Sequence, residues 1–130
     1  MIQANEIRIG NWVNIQSHNQ YARIIEIKSG RPDNRDFVRI SSPNLDTQFA
    51  VEIGQIVPIP LTEERLLKAG FEKDIESLFY RNNFIIAKTR SRWAFYHNGL
   101  MGGELVRIDF LHELQNLFFA LTGEEIKIEL

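Results

Sequence analysis

The stretch LHELQNLFFALTGEE, Leu111 to Glu125, decides where this chain places its longer helix and which side of it is buried. Set 100° apart from Phe110, the residues Leu111, Leu114, Leu117, Phe118 and Leu121 fall within an arc of about 120°, the pattern of one buried helical face. Asp109 stands before the run as the expected cap, and Gly123 follows it as the expected stop. Phe119 falls on the opposite side, among His112, Gln115 and Asn116. A helix with one buried face has no use for that phenylalanine. Either the helix is packed on two sides, or Phe119, His112, Gln115 and Asn116 form an exposed patch that binds a partner.

The same stretch contains HELQN, one letter from the HExxH zinc motif, in which two histidines one helical turn apart share a metal. Asn116 stands in the place of the second histidine, and an asparagine amide is a poor zinc ligand. The expectation is therefore a polar helix side without metal. The other histidines, His18 and His97, lie in a turn and at a strand end, and no serine sits in a G-x-S-x-G elbow. Neither GxGxxG nor a lysine-containing phosphate loop occurs, so nucleotide hydrolysis is not expected. Glu63-Glu64 and Glu124-Glu125 flank helix ends, where they read as solvated charge and not as an acid and base pair. No catalytic residue and no cofactor are expected.

Before Leu111 the chain divides in two. Its first sixty residues read as short strands separated by turns: Ile7 and Ile9 alternate with charges, Gly10-Asn11 calls for a bend or bulge, and Trp12 to Ile15 resumes the strand. YARIIEIK follows, with its parity ambiguous at Ile24, then the turn chemistry of SGRPDNRD, then FVRIS, SPNLD and QFAVEI. Pro58 and Pro60 confine IVPIP to an edge or an exit. Strands this short and this closely spaced predict a small barrel over residues 1–60, of the Src-homology-3-like kind, because sixty residues are too few for a sandwich.

Residues 61–130 predict an α+β module. Thr62 caps a short helix over TEERLLKAG that Gly70 ends, and SLFYR, FIIAK and RWAFYH then make an antiparallel meander with turns at Asn82-Asn83 and Asn98-Gly99. After Gly102-Gly103 and another strand comes the long helix, and IKIEL alternates as a closing strand. LTEE and LTGEE look like a repeat, but the first starts a helix and the second ends one.

Charge is distributed unevenly although the formal net charge is only -2. Arg81, Lys88, Arg90 and Arg92 stand in a segment without acids, interleaved with Tyr80, Phe84, Trp93, Phe95 and Tyr96. Cations and aromatics in that order could meet the phosphates and bases of a nucleic acid, with Arg81, Lys88, Arg90, Arg92 and Tyr96 as the contacts. Period-2 alternation alone explains the same pattern as a half-buried strand with a charged outer face.

The chain has no cysteine, which excludes disulfides, thiolate catalysis and cysteine-ligated metal, and fits a reducing compartment. No apolar run approaches the ~20 residues needed to span a bilayer, and the start MIQANEIRIG does not read as a secretory signal. A cytoplasmic protein without membrane contact is expected.

Three sequence words carry a resemblance: NEIRIGNWV, IPLTEERLLKAGF and LHELQNLFFALTGEE. Through them the chain resembles a family of small uncharacterised proteins encoded by Bacteroides-type bacteria and their prophages or other mobile elements. Residues 28–48 match least. The resemblance implies no activity, ligand or catalytic residue. The expected function is a non-enzymatic binding or adaptor role toward a protein partner, through the barrel loops or the Phe119 face, with nucleic-acid binding through residues 80–97 as the alternative and homo-oligomerisation open.

Overall fold

The computed structural model describes residues 2–16, 20–28, 36–42, 48–74, 78–82, 84–90, 92–97, 104–128 and 130. It is an α+β protein, mostly β-sheet, and by its contacts it divides into two compact units. The first comprises Met1–Ile59 and Leu111–Glu125, the second Pro60–Phe110 and Ile126–Leu130. The long helix thus belongs with the N-terminal strands, although its place in the sequence suggested a module over residues 61–130.

In the first unit the strands are β1 (Trp12–Ile15), β2 (Gln20–Lys28), β3 (Phe37–Ser41), β4 (Phe49–Glu52) and β5 (Ile56–Val57). They form one sheet in the order β4-β3-β2-β1-β5, curled into a half-barrel. Alternation fixes which residues point inward: Val13, Ile15, Ala22, Ile24, Val38, Ile40, Val51 and Ile56 are buried in one core, joined by Ile2 and Ile7. The parity ambiguity of β2 has a physical resolution. Its register against β3 shifts between Ile24 and Glu26, so Ile24 points inward and Ile25 falls at the irregularity. The two-residue β5 lies at the sheet edge, where the following Pro58 removes no ladder hydrogen bond.

EIRIG was expected as strand and is not. Ala4–Glu6 forms a 3-10 turn, Ile7 is buried and Ile9 is 56% exposed. Gly10 (φ 99°) donates to the Ile24 carbonyl at 2.7 Å, and Ile24 donates to the Asn11 carbonyl at 2.9 Å. Two residues thus face one, the bulge that Gly10-Asn11 implied, and the positive φ favours glycine there.

In the second unit α1 (Glu63–Lys68) is capped by Thr62, whose hydroxyl accepts from the Arg65 N–H at 3.3 Å. It closes as a Schellman turn: Phe71 donates to the Leu66 carbonyl and Gly70 (φ 91°) to that of Leu67. Strands β6 (Glu72–Lys73), β7 (Leu78–Arg81), β8 (Phe84–Thr89), β9 (Arg92–His97) and β10 (Glu104–Ile108) form an antiparallel sheet in the order β10-β9-β8-β7-β6. One face carries Phe79, Phe84, Ile86, Trp93 and Phe95, all buried. Phe79 meets Trp93 edge-on with ring centroids 5.6 Å apart, and the Trp93 indole donates to the Leu61 carbonyl at 3.0 Å.

Ile126 and Ile128 are buried as their alternation implied, but residues 126–128 pair in no sheet, so the expected closing strand is absent there. The expected turns at Asn98-Gly99 and Gly102-Gly103, most of SGRPDNRD and SPNLD, Asn83 and His18 lie outside the described residues. Among the described residues no helix is long and apolar enough to cross a membrane.

Candidate functional site

The helix α2 (Leu111–Thr122) ends as expected, with Gly123 donating to the Phe119 carbonyl at 2.8 Å. Its buried side is not the expected arc. Leu111, Leu114 and Phe118 are buried, but so are His112 and Gln115, whereas Leu121 is 43% exposed. The helix is rotated toward its HELQN side because that side is hydrogen-bonded to the IRIGNW turn of the same unit.

Gln115 is 2% exposed and its amide spans the Gly10-Asn11 bulge. Its Oε1 accepts from the Trp12 N–H at 2.8 Å, and its Nε2 donates to the Gly10 carbonyl at 3.1 Å. Asn116 works beside it: its Oδ1 accepts from Asn11 Nδ2 at 2.8 Å, and its Nδ2 donates to the Glu6 carbonyl at 3.0 Å. Asn11 is fully buried, and its Oδ1 accepts from the Arg8 N–H at 2.6 Å. A bulge leaves backbone groups without ladder partners, and side-chain amides satisfy them in place of a strand. Gln115 and Asn116 are therefore joints of the fold and not an exposed polar face.

His112 is 4% exposed, and burial lowers its pKa below the usual histidine value, against a smaller opposing pull from the Glu113 and Glu6 carboxylates. It is a neutral interior histidine at physiological pH. Among the described residues no group of three or more His, Cys, Asp or Glu side chains could hold a metal ion.

Phe119 has a place of its own. The Arg8 guanidinium lies 4.2 Å from its ring centroid, and Arg8 in turn contacts both carboxylate oxygens of Glu125. The ring is a shelf under an ion pair, 38% exposed, and helical periodicity gave no sign of this cation-π arrangement. Asp109, the expected cap, pairs with Arg92, Nε to Oδ1 at 3.2 Å and the second nitrogen to Oδ2 at 3.1 Å.

The basic residues of the second unit do not converge. Register places Arg81 and Lys88 on the Phe79 and Trp93 face of the sheet, whereas Arg92 and Tyr96 share the other face. Arg81 donates to the Ala69 carbonyl at 3.1 Å behind α1, Lys88 lies 5.5 Å from the Trp93 ring centroid, and Arg92 is taken by Asp109. Arg90 sits in the β8-β9 turn with φ 54°. His97 belongs to β9 by its backbone.

The outer face of this sheet shows an arrangement that periodicity alone did not reveal. Register aligns Tyr80, Ile85 and Tyr96 in one row across β7, β8 and β9. Tyr80 is 39% exposed, and Ile85 and Tyr96 are half-buried. A shallow concavity of about 270 Å³ lies against the row, lined by Asp74, Leu78, Tyr80, Asn82 and Ile85. The signal existed in the sequence as the parity of YR and FII, but only the register brings the two tyrosines into line. Comparison of the chain with protein-family models, curated proteins and solved structures finds no match.

Proposed function

We propose that the protein is a non-enzymatic binding or adaptor module that engages a protein partner through the outer face of its second sheet. The observation that carries this reading is the row Tyr80-Ile85-Tyr96, apolar and aromatic surface that remains solvent-accessible on a regular sheet. Tyrosines on a rigid strand offer contact area at little entropic cost, which is why they concentrate in protein-binding surfaces. The helix side that first invited a partner is spent on the Gly10-Asn11 bulge.

The half-barrel is read as Src-homology-3-like and the sheet of the second unit as the meander. With the resemblance, this gives a cytoplasmic accessory protein of a prophage or other mobile element. The absence of cysteine supports that compartment. Nucleic-acid binding is the weaker reading, because Arg92 is neutralised by Asp109 and Arg81 and Lys88 occupy the opposite face from Tyr96.

Affinity capture with the wild type, Tyr80→Glu and Phe119→Ser tests the proposal, with thermal melts to establish that each variant is folded. The expected result is loss of a defined partner with Tyr80→Glu and its retention with Phe119→Ser. Retention of every partner by folded Tyr80→Glu overturns the assignment of the face.

A further inference from the structure

The concavity beside the tyrosine row is apolar in its walls and acidic at its rim. Leu78 and Ile85 are half-buried in it, Tyr80 is exposed, and Asp74 lines one side. Glu72 stands opposite Tyr80 in register and therefore on the same face. The Tyr80 hydroxyl has a raised pKa, chiefly from a hydrogen bond with Glu72 and then from that residue's charge, with Asp74 a lesser contributor. Both carboxylates thus act at the Tyr80 hydroxyl, on the face where Asp74 lines the concavity. The cations nearest in sequence are engaged elsewhere: Lys73 with Glu63 at 2.8 Å and Arg81 with the Ala69 carbonyl.

From this charge complementarity we infer that the concavity receives a lysine or arginine side chain presented by the partner protein. The aliphatic stem lies along Leu78 and Ile85, the cation faces the Tyr80 ring, and Glu72 and Asp74 supply the opposing charge. The same carboxylates repel phosphates, so a nucleic acid is the wrong occupant. The inference rests on the reading of this face as a protein-binding surface and adds the chemistry of what it binds.

The test is a set of titrations of isotope-labelled full-length protein, followed by amide resonances. The probes are a capped hexapeptide of alternating lysine and leucine, its analogues with serine or glutamate in place of lysine, and a ten-residue oligothymidylate. The lysine peptide is expected to shift Asp74, Leu78, Tyr80 and Ile85 saturably, with no such shift from the glutamate peptide. Glu72→Gln combined with Asp74→Asn is expected to weaken the lysine peptide about tenfold, as two exposed charge pairs allow. Tyr80→Leu, which keeps the apolar wall and loses the ring, is expected to weaken it as well. Equal binding of the serine peptide, or no effect of the double variant, overturns the inference while leaving the face a protein-binding surface. Shifts on this face from oligothymidylate alone, or from no probe at all, overturn both.

Discussion

Gln115 and Trp12 are joined by a hydrogen bond of 2.8 Å in which a side-chain amide of α2 accepts from the first backbone N–H of β1. With its other end on the Gly10 carbonyl, Gln115 acts as the strand partner that the bulge removes. Two of the three sequence words behind the family resemblance, NEIRIGNWV and LHELQNLFFALTGEE, meet at this joint. Their residues are explained by folding before any ligand is invoked.

Gln115→Ala strands a buried donor and a buried acceptor at once. The expected loss is about 2–6 kcal/mol, from roughly 1–3 kcal/mol for each of the two unsatisfied groups. Gln115→Glu keeps an acceptor for Trp12 but sets a carboxylate against the Gly10 carbonyl, and is expected to be at least as damaging. Urea denaturation measures both, and a loss below about 0.5 kcal/mol for Gln115→Ala contradicts the joint.

Phe119 and Arg8 are expected to be energetically coupled, because the guanidinium lies over the ring while Glu125 holds it in place. A double-mutant cycle of Arg8→Ala and Phe119→Leu should return a coupling of about 0.5–1 kcal/mol. Additive effects within about 0.3 kcal/mol would remove the shelf role.

Much of the fold was legible in the sequence. Thr62 and Gly70 bounded α1, Gly123 ended α2, and the Gly10-Asn11 break announced a bend or bulge, because these residues act through local backbone chemistry. The rotation of α2 was not legible. Helical periodicity assigns polar residues outward, and it carries no sign that Gln115 is needed by backbone groups about a hundred positions away or that His112 is buried beside it. For the same reason nothing in the sequence joined Asp109 to Arg92 on β9, and Ile9 looked like strand when a turn exposes it. The tyrosine row escaped notice because Tyr80 and Tyr96 become neighbours only through the register of β8.

Stability is expected to depend on pH through His112. Its pKa in the folded state lies below the value near 6.5 of the unfolded chain, so between those two values the unfolded state binds more protons. Stability is therefore full above about pH 6.5 and declines as the pH falls through and below it. His112→Gln, if folded, should flatten this part of the profile relative to the wild type in urea melts between about pH 5 and 7.5. A wild-type profile that is level there, or that rises toward acid, contradicts a buried neutral His112.

Gly70→Ala places a side chain at φ 91°, where the Schellman turn after α1 admits glycine readily. Nothing obstructs the added Cβ, the nearest atoms being those of Arg81 at 3.7 Å, so the cost is backbone strain of about 1–2 kcal/mol. Chemical denaturation with an unchanged slope checks this, and a neutral substitution would mean that the turn relaxes.

Site-specific photo-crosslinking tests the placement of the binding surface most directly. With p-benzoyl-phenylalanine introduced at Tyr80 in one variant and at Phe119 in another, each expressed in cells carrying the natural gene neighbourhood, position 80 should form a defined covalent adduct with a protein and position 119 should not. An adduct from Phe119 alone, or adducts at Tyr80 only with nucleic acid, would contradict the account.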